Sequence, residues 1–447
     1  MPSQSLRVKA CFLLMFFAIL VSPVALILSQ STKTEVVPVC VGELLGVEVA
    51  PNTLAEALTA LTDVRQARRN ASDREGEASV LYCMGLTYFA QGSYPAGQQP
   101  FRDARTQFER ALLAYRDVSN RAGEARSLHQ YGKTYFMLRD FGNTLPNFQQ
   151  ALRTAEAISD LAIQADVRFD LGVFYRESGN PQRDLDEAES HLQEAYSDYF
   201  QLQNDSRQAE TLLLLGQTQF DLWQLEVATA SFRDSADLYA MMGDSAHQAE
   251  ALYGAARVFH HTGVLNEAES AYSEVLEMYR EVGDRVGEGR VLSALGNIYY
   301  QLGYDIAETT LNEALRVNRE AGDSIGRSIT SSYLGDVLLL QGDLNGARSS
   351  FDSALELAES GNNIAAGALA YLGRGRVHAE LARLGREPLQ PALNDFGEAA
   401  RRYRDLLGDL YSLRRVFISE GWARYNLNPT DQTAYNLFYE ARNKARE

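Results

Sequence analysis

The sequence predicts an all-α fold, a right-handed α-solenoid of about nine helical hairpins that follows an N-terminal transmembrane or signal helix. Three observations predict the solenoid. One column of small residues recurs about every 40 positions, and a second column pairs a small residue with a large apolar residue four positions later. The distance from each second-column residue to the next first-column residue is 28 residues in seven cases and 29 in the eighth.

Residues 1–29 contain an uncharged apolar run from Ala10 to Leu28. A helix of that length is about 28 Å long, close to the thickness of a bilayer core. Arg7 and Lys9 precede the run, a bias that keeps the N-terminus cytoplasmic and sends the following chain across the membrane. We expect a membrane anchor, or a signal peptide cleaved near Ser29. The body is then membrane-anchored and extracytoplasmic, or secreted or periplasmic after cleavage.

Residues 30–52 lack a helical period and are interpreted as a linker. Thr53 and Glu56 then form a capping-box pattern that opens a helix over residues 53–70. Ala57 and Leu61 share one face of that helix, so it is expected to cap the array.

Residues 71–447 hold the repeats. The first column is Gly85, Gly132, Gly172, Gly216, Ala256, Gly296, Gly335, Gly375 and Gly421. The second column is Ala104, Thr144, Ala188, Ala228, Ala268, Ala307, Ala347, Ala392 and Ala434. Small residues let two antiparallel helices approach closely, and the large apolar side chains are expected to fill the gap to the next hairpin. At junctions such as Gly283-Asp284, glycine is expected to end one helix in the left-handed conformation and aspartate to cap the next.

This pattern resembles the tetratricopeptide repeat, in which a helix with L-G-x2-Y precedes a helix with A-x3-F. Leu295-Gly296 with Tyr299, followed by Ala307 and Leu311, is its clearest copy. The period near 40 is similar to that of the longer variant found in kinesin light chains and bacterial multi-repeat proteins. Departures from the pattern are Gln219 and Leu338 in place of the aromatic residue, and Ala256 in place of glycine.

The composition argues against nucleic-acid binding, because the net charge is −17 and phosphate backbones require clustered basic residues. Three cysteines make neither a disulfide framework nor a metal-binding pattern. Cys40 and Cys83 could form a disulfide, but Cys83 is better explained as a small apolar residue packed inside a helix.

The sequence predicts no enzyme, no cofactor and no metal site. Gly132-Lys133-Thr134 has the ending of a phosphate-binding loop, but the first glycine of that motif is missing and the segment falls inside a repeat helix. His260 and His261 are adjacent on a helix and point in different directions, unlike metal ligands four residues apart.

The resemblance implies that the first helices of the hairpins line a concave groove that binds a protein or peptide. This lining has as many basic as acidic side chains and is rich in aromatic residues, the types that anchor partner segments; the alternative is that several of these aromatic residues only pack. The implied groove residues are Tyr82, Phe89, His129, Lys133, Phe136, Phe169, Arg176, Phe220, Tyr253, Arg257, His260, Arg290, Asn297 and Tyr300.

The sequence therefore favours a non-enzymatic interaction scaffold that binds a peptide or helix of a partner protein. Two other functions stay open: a regulatory array that acts with a separate caspase-like protease of the CHAT type, and a self-assembling structural element. The expected partners are a protein or peptide ligand, the membrane through the N-terminal helix, and another copy of the chain if it self-associates.

Overall fold

The computed structural model describes residues 54–92, 97–177, 184–407 and 410–443. Within these ranges no strand occurs and the regular secondary structure is helical, which confirms the prediction of an all-α fold. None of the helices in these ranges is long and apolar enough to cross a bilayer. The predicted anchor or signal segment (residues 1–29) and the linker (residues 30–52) lie outside the described residues.

The helices form two compact units, one ending at Leu238 and the other beginning at Tyr239. The N-terminal unit contains α1 (Leu54–Asn70), α2 (Arg74–Gln91), α3 (Gln99–Asp117), α4 (Arg121–Met137), α5 (Phe141–Ala157), α6 (Leu161–Arg176), α7 (Leu185–Gln201), α8 (Asp205–Asp221) and most of α9 (Leu225–Met242). After α1, each odd-numbered helix packs antiparallel on the even-numbered helix before it, as the two-column pattern predicts.

The C-terminal unit continues the alternation with the rest of α9. Its further helices are α10 (Ser245–Thr262), α11 (Leu265–Val282), α12 (Arg285–Leu302), α13 (Ala307–Glu320), α14 (Ser324–Gln341), α15 (Leu344–Ser360), α16 (Ile364–Arg383), α17 (Gln390–Arg401), which runs on as a π-helical segment (Arg402–Leu407), α18 (Leu410–Leu427) and α19 (Gln432–Asn443).

The small residues of the first column let a large side chain lie directly against the first helix of the same hairpin. A methyl group at Gly132 would lie 2.6 Å from the Phe148 ring, and one at Gly296 would lie 2.6 Å from the Leu311 side chain. Real side-chain carbons do not approach this closely, so glycine is needed where these side chains sit. The large residues also reach the next hairpin, as expected: the ring centres of Phe148 and Phe174, on the next first helix, are 6.5 Å apart.

Phe351 makes both kinds of contact. Its ring lies against Gly335 of its own hairpin and also against Gly373 on α16, the first helix of the next hairpin. Gly375, two residues further on α16, receives Phe396 from α17. The two glycines therefore make room for two different rings, which explains the Gly-x-Gly sequence at this position.

The junctions between hairpins have the predicted geometry. Gly243, Gly283 and Gly322 adopt φ values of 72°, 76° and 71°, in the left-handed region. The aspartate that follows each glycine caps the next helix; Asp284, for example, accepts a hydrogen bond of 2.9 Å from the amide of Gly287. The junction at Gly408-Asp409 lies outside the described residues.

Other junctions reach the same left-handed conformation without glycine. The residues concerned are Ser72, Ser119, Ser159, Gln203 and Asn362. Each of them precedes an aspartate or asparagine that caps the next helix. The capping residue is thus the constant part of the junction, and a side chain at the preceding position is tolerated at a cost in backbone strain.

Cys83 corrects an expectation. It is buried against α1, as predicted for a small packing residue, but it is disulfide-bonded rather than a free thiol. It is the single cysteine within the described ranges, so its partner lies outside them.

Candidate protein-binding surface

The predicted groove residues all lie on first helices, and they divide evenly by burial. Seven are buried: His129, Phe169, Arg176, Phe220, His260, Asn297 and Tyr300. Seven are half-buried: Tyr82, Phe89, Lys133, Phe136, Tyr253, Arg257 and Arg290. The buried set presents little surface to a ligand.

In the N-terminal unit, a buried carboxylate organises two of the predicted residues. Asp170 on α6 lies 2.6 Å from Nε2 of His129 and 3.0 Å from Nζ of Lys133, both on α4. Burial alone would raise the pKa of Asp170, but the Lys133 ammonium and the His129 ring outweigh it and hold that pKa well below its ordinary value. Phe89 and Phe136 line a narrow recess beside Lys133 and Asp170.

Arg176 on α6 also forms polar contacts with the next first helix. Its guanidinium donates hydrogen bonds to the backbone oxygen of Leu214 and the hydroxyl of Thr218, and it forms an ion pair of 3.1 Å with Asp221, all on α8. Both members of the ion pair are buried. Arg176 therefore fastens one hairpin to the next and does not face an open groove.

In the C-terminal unit, Arg290 on α12 is paired with Glu250 on α10. The Tyr279 hydroxyl donates a hydrogen bond of 2.8 Å to the same carboxylate, and the guanidinium lies 4.9 Å from the centre of the Tyr253 ring. Burial alone would lower the pKa of Arg290, but the Glu250 carboxylate outweighs it and raises that pKa well above its ordinary value. Arg290 is thus neutralised inside the protein.

His260 on α10 and Gln301 on α12 extend this pattern, with His260 Nε2 and Gln301 Nε2 3.3 Å apart. Burial, together with the nearby Arg257 guanidinium, lowers the pKa of His260 to about 3. The imidazole is therefore neutral at physiological pH. His261, next to it, is less buried.

These contacts share a spacing of about one repeat, and together they form a polar ladder between successive first helices. The sequence separations are 41 residues for His129–Asp170, 42 for Arg176–Thr218, 40 for Glu250–Arg290, 41 for His260–Gln301 and 40 for Asp336–Arg376. The partner residues Asp170, Asp221, Glu250 and Gln301 were missed from the sequence. A search for polar partners one repeat away from each predicted groove residue would have found them.

One group of first-helix residues is arranged differently. Tyr253 and Arg257 are half-buried on α10, and the buried side chains of Tyr272 and Tyr333 lie near them. The rings of Tyr253 and Tyr272 are 5.6 Å apart. The Tyr272 hydroxyl is buried and makes no hydrogen bond within the described part of the chain. Such an unsatisfied hydroxyl is costly and needs an explanation.

Protonation makes the Tyr272 hydroxyl a donor. Burial, followed by a contribution from Tyr253, raises the pKa of Tyr272 well above its ordinary value, although Arg257 opposes this. The hydroxyl therefore keeps its proton at physiological pH.

Stacked antiparallel hairpins with a ladder between their first helices define a helical repeat protein. Residues 247–320, which span α10 to α13, match the family model for the tetratricopeptide repeat. This match identifies tetratricopeptide repeats in that part of the chain. No curated protein matches the chain.

Three solved structures have a similar fold at low sequence identity. Aspartyl phosphate phosphatase F from Bacillus subtilis is 13% identical with a TM-score of 0.55, and the match covers 89% of this chain and 97% of that one. A Rap protein complexed with competence and sporulation factor is 16% identical with a TM-score of 0.52, covering 83% and 99%. The Rap conjugation gene regulator of plasmid pLS20, in complex with the Phr* peptide, is 12% identical with a TM-score of 0.51, covering 92% and 95%.

Proposed function

We propose that this protein is a non-enzymatic scaffold that binds a peptide or helical segment of a partner protein along the first helices of its C-terminal unit. The observation that carries the proposal is the half-buried pair of Tyr253 and Arg257 on α10, which stays partly exposed beside the fully buried Tyr272. A bound segment would cover this pair and contact its ring and guanidinium.

The residue types support this assignment. Tyrosine and arginine are the side chains most enriched among binding hot spots, because each combines a large contact area with hydrogen-bond donors. The polar ladder keeps α10 and α12 in fixed register through Glu250 and Arg290. Tyr253 and Arg257 are therefore presented on a rigid surface, which lowers the entropic cost of binding.

The comparisons support the same kind of partner. Two of the similar folds were solved with a bound partner, in one case the Phr* peptide and in the other competence and sporulation factor. That likeness establishes the architecture, and a peptide-binding role is our proposal for this chain.

The test is affinity capture with the full-length tagged protein from detergent-solubilised membranes, followed by mass spectrometry. A double variant with Tyr253→Ala and Arg257→Ala removes the outer pair. Tyr304→Ala is the matched control, because Tyr304 is exposed in the turn between α12 and α13. Loss of hot-spot contacts worth about 2 kcal/mol should reduce partner recovery by about thirtyfold in the double variant, with recovery by the control unchanged. Unchanged recovery by a folded double variant would contradict the groove assignment.

We also propose that the repeat body lies outside the cytoplasm, held by the N-terminal segment or released after its cleavage. The disulfide of Cys83 supports this, because disulfides persist in oxidising compartments and are rare in the cytosol. The test is protease accessibility in spheroplasts. Digestion of the repeat body before lysis is expected, and protection until lysis would contradict the proposal.

Self-association is a second candidate, favoured by the last hairpin. Trp422, Tyr435 and Tyr439 are 51%, 49% and 58% exposed on α18 and α19. Exposed aromatic side chains of this density mark interaction surfaces. Light scattering should then show a dimer or larger assembly that the Trp422→Ala and Tyr439→Ala double variant dissociates, whereas a monomeric wild type would remove this candidate.

A further inference from the structure

A recess in the C-terminal unit lies away from the Tyr253 and Arg257 site, where α13 meets the hairpin of α14 and α15. Two of its three helices, α13 and α15, are second helices, so it is not part of the predicted groove. No acidic side chain lines it within the described residues. Its lining residues are Leu315, Arg319, Arg327, Ser331, Leu334, Ser349, Ser350, Ser353 and Leu357.

The two arginines of this recess differ from their neighbours. Arg316, three residues before Arg319, forms an ion pair of 2.7 Å with Glu320, and Arg374 forms one of 2.7 Å with Asp395. Neither Arg319 nor Arg327 forms an ion pair or a side-chain hydrogen bond within the described ranges. Two positive charges thus share one recess with no carboxylate between them, although the chain as a whole carries a net charge of −17.

The serines add hydroxyl donors to the same recess. Ser331 is buried on α14, and Ser349, Ser350 and Ser353 follow one stripe of α15. Their hydroxyl groups make no hydrogen bond to other described residues. A recess with two guanidinium groups and several uncommitted hydroxyls can donate more hydrogen bonds than the two coplanar oxygens of a carboxylate accept.

We propose that this recess binds a phosphoryl group, carried either by a phosphorylated side chain of a partner or by free phosphate. A phosphate monoester offers three strongly accepting oxygens in a tetrahedral arrangement and about two negative charges. The guanidinium groups of Arg319 and Arg327 neutralise that charge, and the serine hydroxyls donate to the remaining lone pairs. Because the field of an acidic protein repels anions at long range, binding depends on these local donors.

The test is isothermal titration of the full-length protein with inorganic phosphate and, separately, with O-phosphoserine, at constant ionic strength set with sodium chloride. The Arg319→Gln and Arg327→Gln double variant removes both charges. The control is a double variant with Arg153→Gln and Arg386→Gln, two exposed arginines outside the recess, so the net charge changes equally. Thermal unfolding checks that both variants are folded.

Saturable binding is expected, and its dissociation constant should rise by about a hundredfold in the recess variant, about tenfold for each arginine, while the control keeps wild-type affinity. The tighter of the two ligands identifies the source of the phosphoryl group. The proposal is overturned if neither ligand binds saturably, if acetate binds as tightly as phosphate, or if the two double variants lose affinity alike.

Discussion

Gly373 is a position where the packing of one repeat on the next leaves little room, and it allows a quantitative test of the architecture. A methyl group there would lie 2.6 Å from Cδ1 of Phe351 and nearer still to Cε1 and Cζ. Non-bonded carbons prefer separations of about 3.5–4.0 Å. The ring cannot retreat, because its other contact is with Gly335, where a methyl group would lie 2.7 Å from Cζ.

The magnitude follows from two opposing effects. Overpacking a core costs about 1–3 kcal/mol, and the upper end applies here because the Phe351 ring is 1% exposed and held on both sides. Replacing glycine by alanine inside a helix gains about 1 kcal/mol. We therefore expect Gly373→Ala to lower the free energy of unfolding by about 2 kcal/mol. Gly397, exposed on α17 with nothing within 4 Å of a methyl group, should show only the gain of about 1 kcal/mol.

Urea denaturation followed by circular dichroism measures both variants against the wild type. Amide hydrogen exchange of α15 and α16 should show the loss of protection at the Phe351 contact. In a Phe351→Leu background the cost of Gly373→Ala should shrink, because the smaller side chain leaves space for the methyl group. If Gly373→Ala were as stable as Gly397→Ala, the tight contact between α15 and α16 would be refuted.

Three further predictions concern single residues. Ser119 is left-handed with a φ of 58°, so Ser119→Gly should raise the free energy of unfolding by about 1 kcal/mol in urea denaturation; no gain would contradict the strain. His260 has a pKa of about 3 in the folded protein against about 6.5 in the unfolded chain. Its neutral form therefore contributes fully to the free energy of unfolding above pH 6.5, and this contribution is lost as the pH falls towards 3. Through this residue, the free energy of unfolding should be about 2 kcal/mol lower at pH 5 than at pH 7, and His260→Gln should remove that difference. Cys83 should resist alkylation in the denatured, non-reduced protein and react after reduction, as peptide mass spectrometry would show.

The hairpins could be predicted from the sequence because their packing depends on residue size, which a sequence displays directly. Gly132 and Gly296 recur in phase with the large residues that lie on them. A glycine in mid-helix is unfavourable by itself, so its regular recurrence indicates a close approach. The aspartate caps were predictable for the same reason, since a cap is a local feature of the chain.

The polar ladder could not be predicted in the same way, because it depends on which side chains face each other across two helices. The predicted groove contained His129 and Arg176 but not their partners Asp170 and Asp221. The family pattern specifies positions and not pairings, so a buried ion pair and an open binding residue have the same sequence signature. The disulfide of Cys83 was wrongly set aside for a similar reason, because pairing depends on distance in the fold.

The ladder nevertheless gives a rule for choosing the binding residue among the predicted ones. A charged first-helix residue that forms an ion pair with an opposite charge one repeat away contributes to helix packing. Asp336 and Arg376 are an example, with Oδ1 of Asp336 2.6 Å from Nη1 of Arg376. Predicted groove residues that are engaged in this way, such as His129, Arg176 and Arg290, are therefore explained by packing. The search for a binding contact then narrows to the half-buried aromatic residues of the first helices, such as Tyr82 and Tyr253.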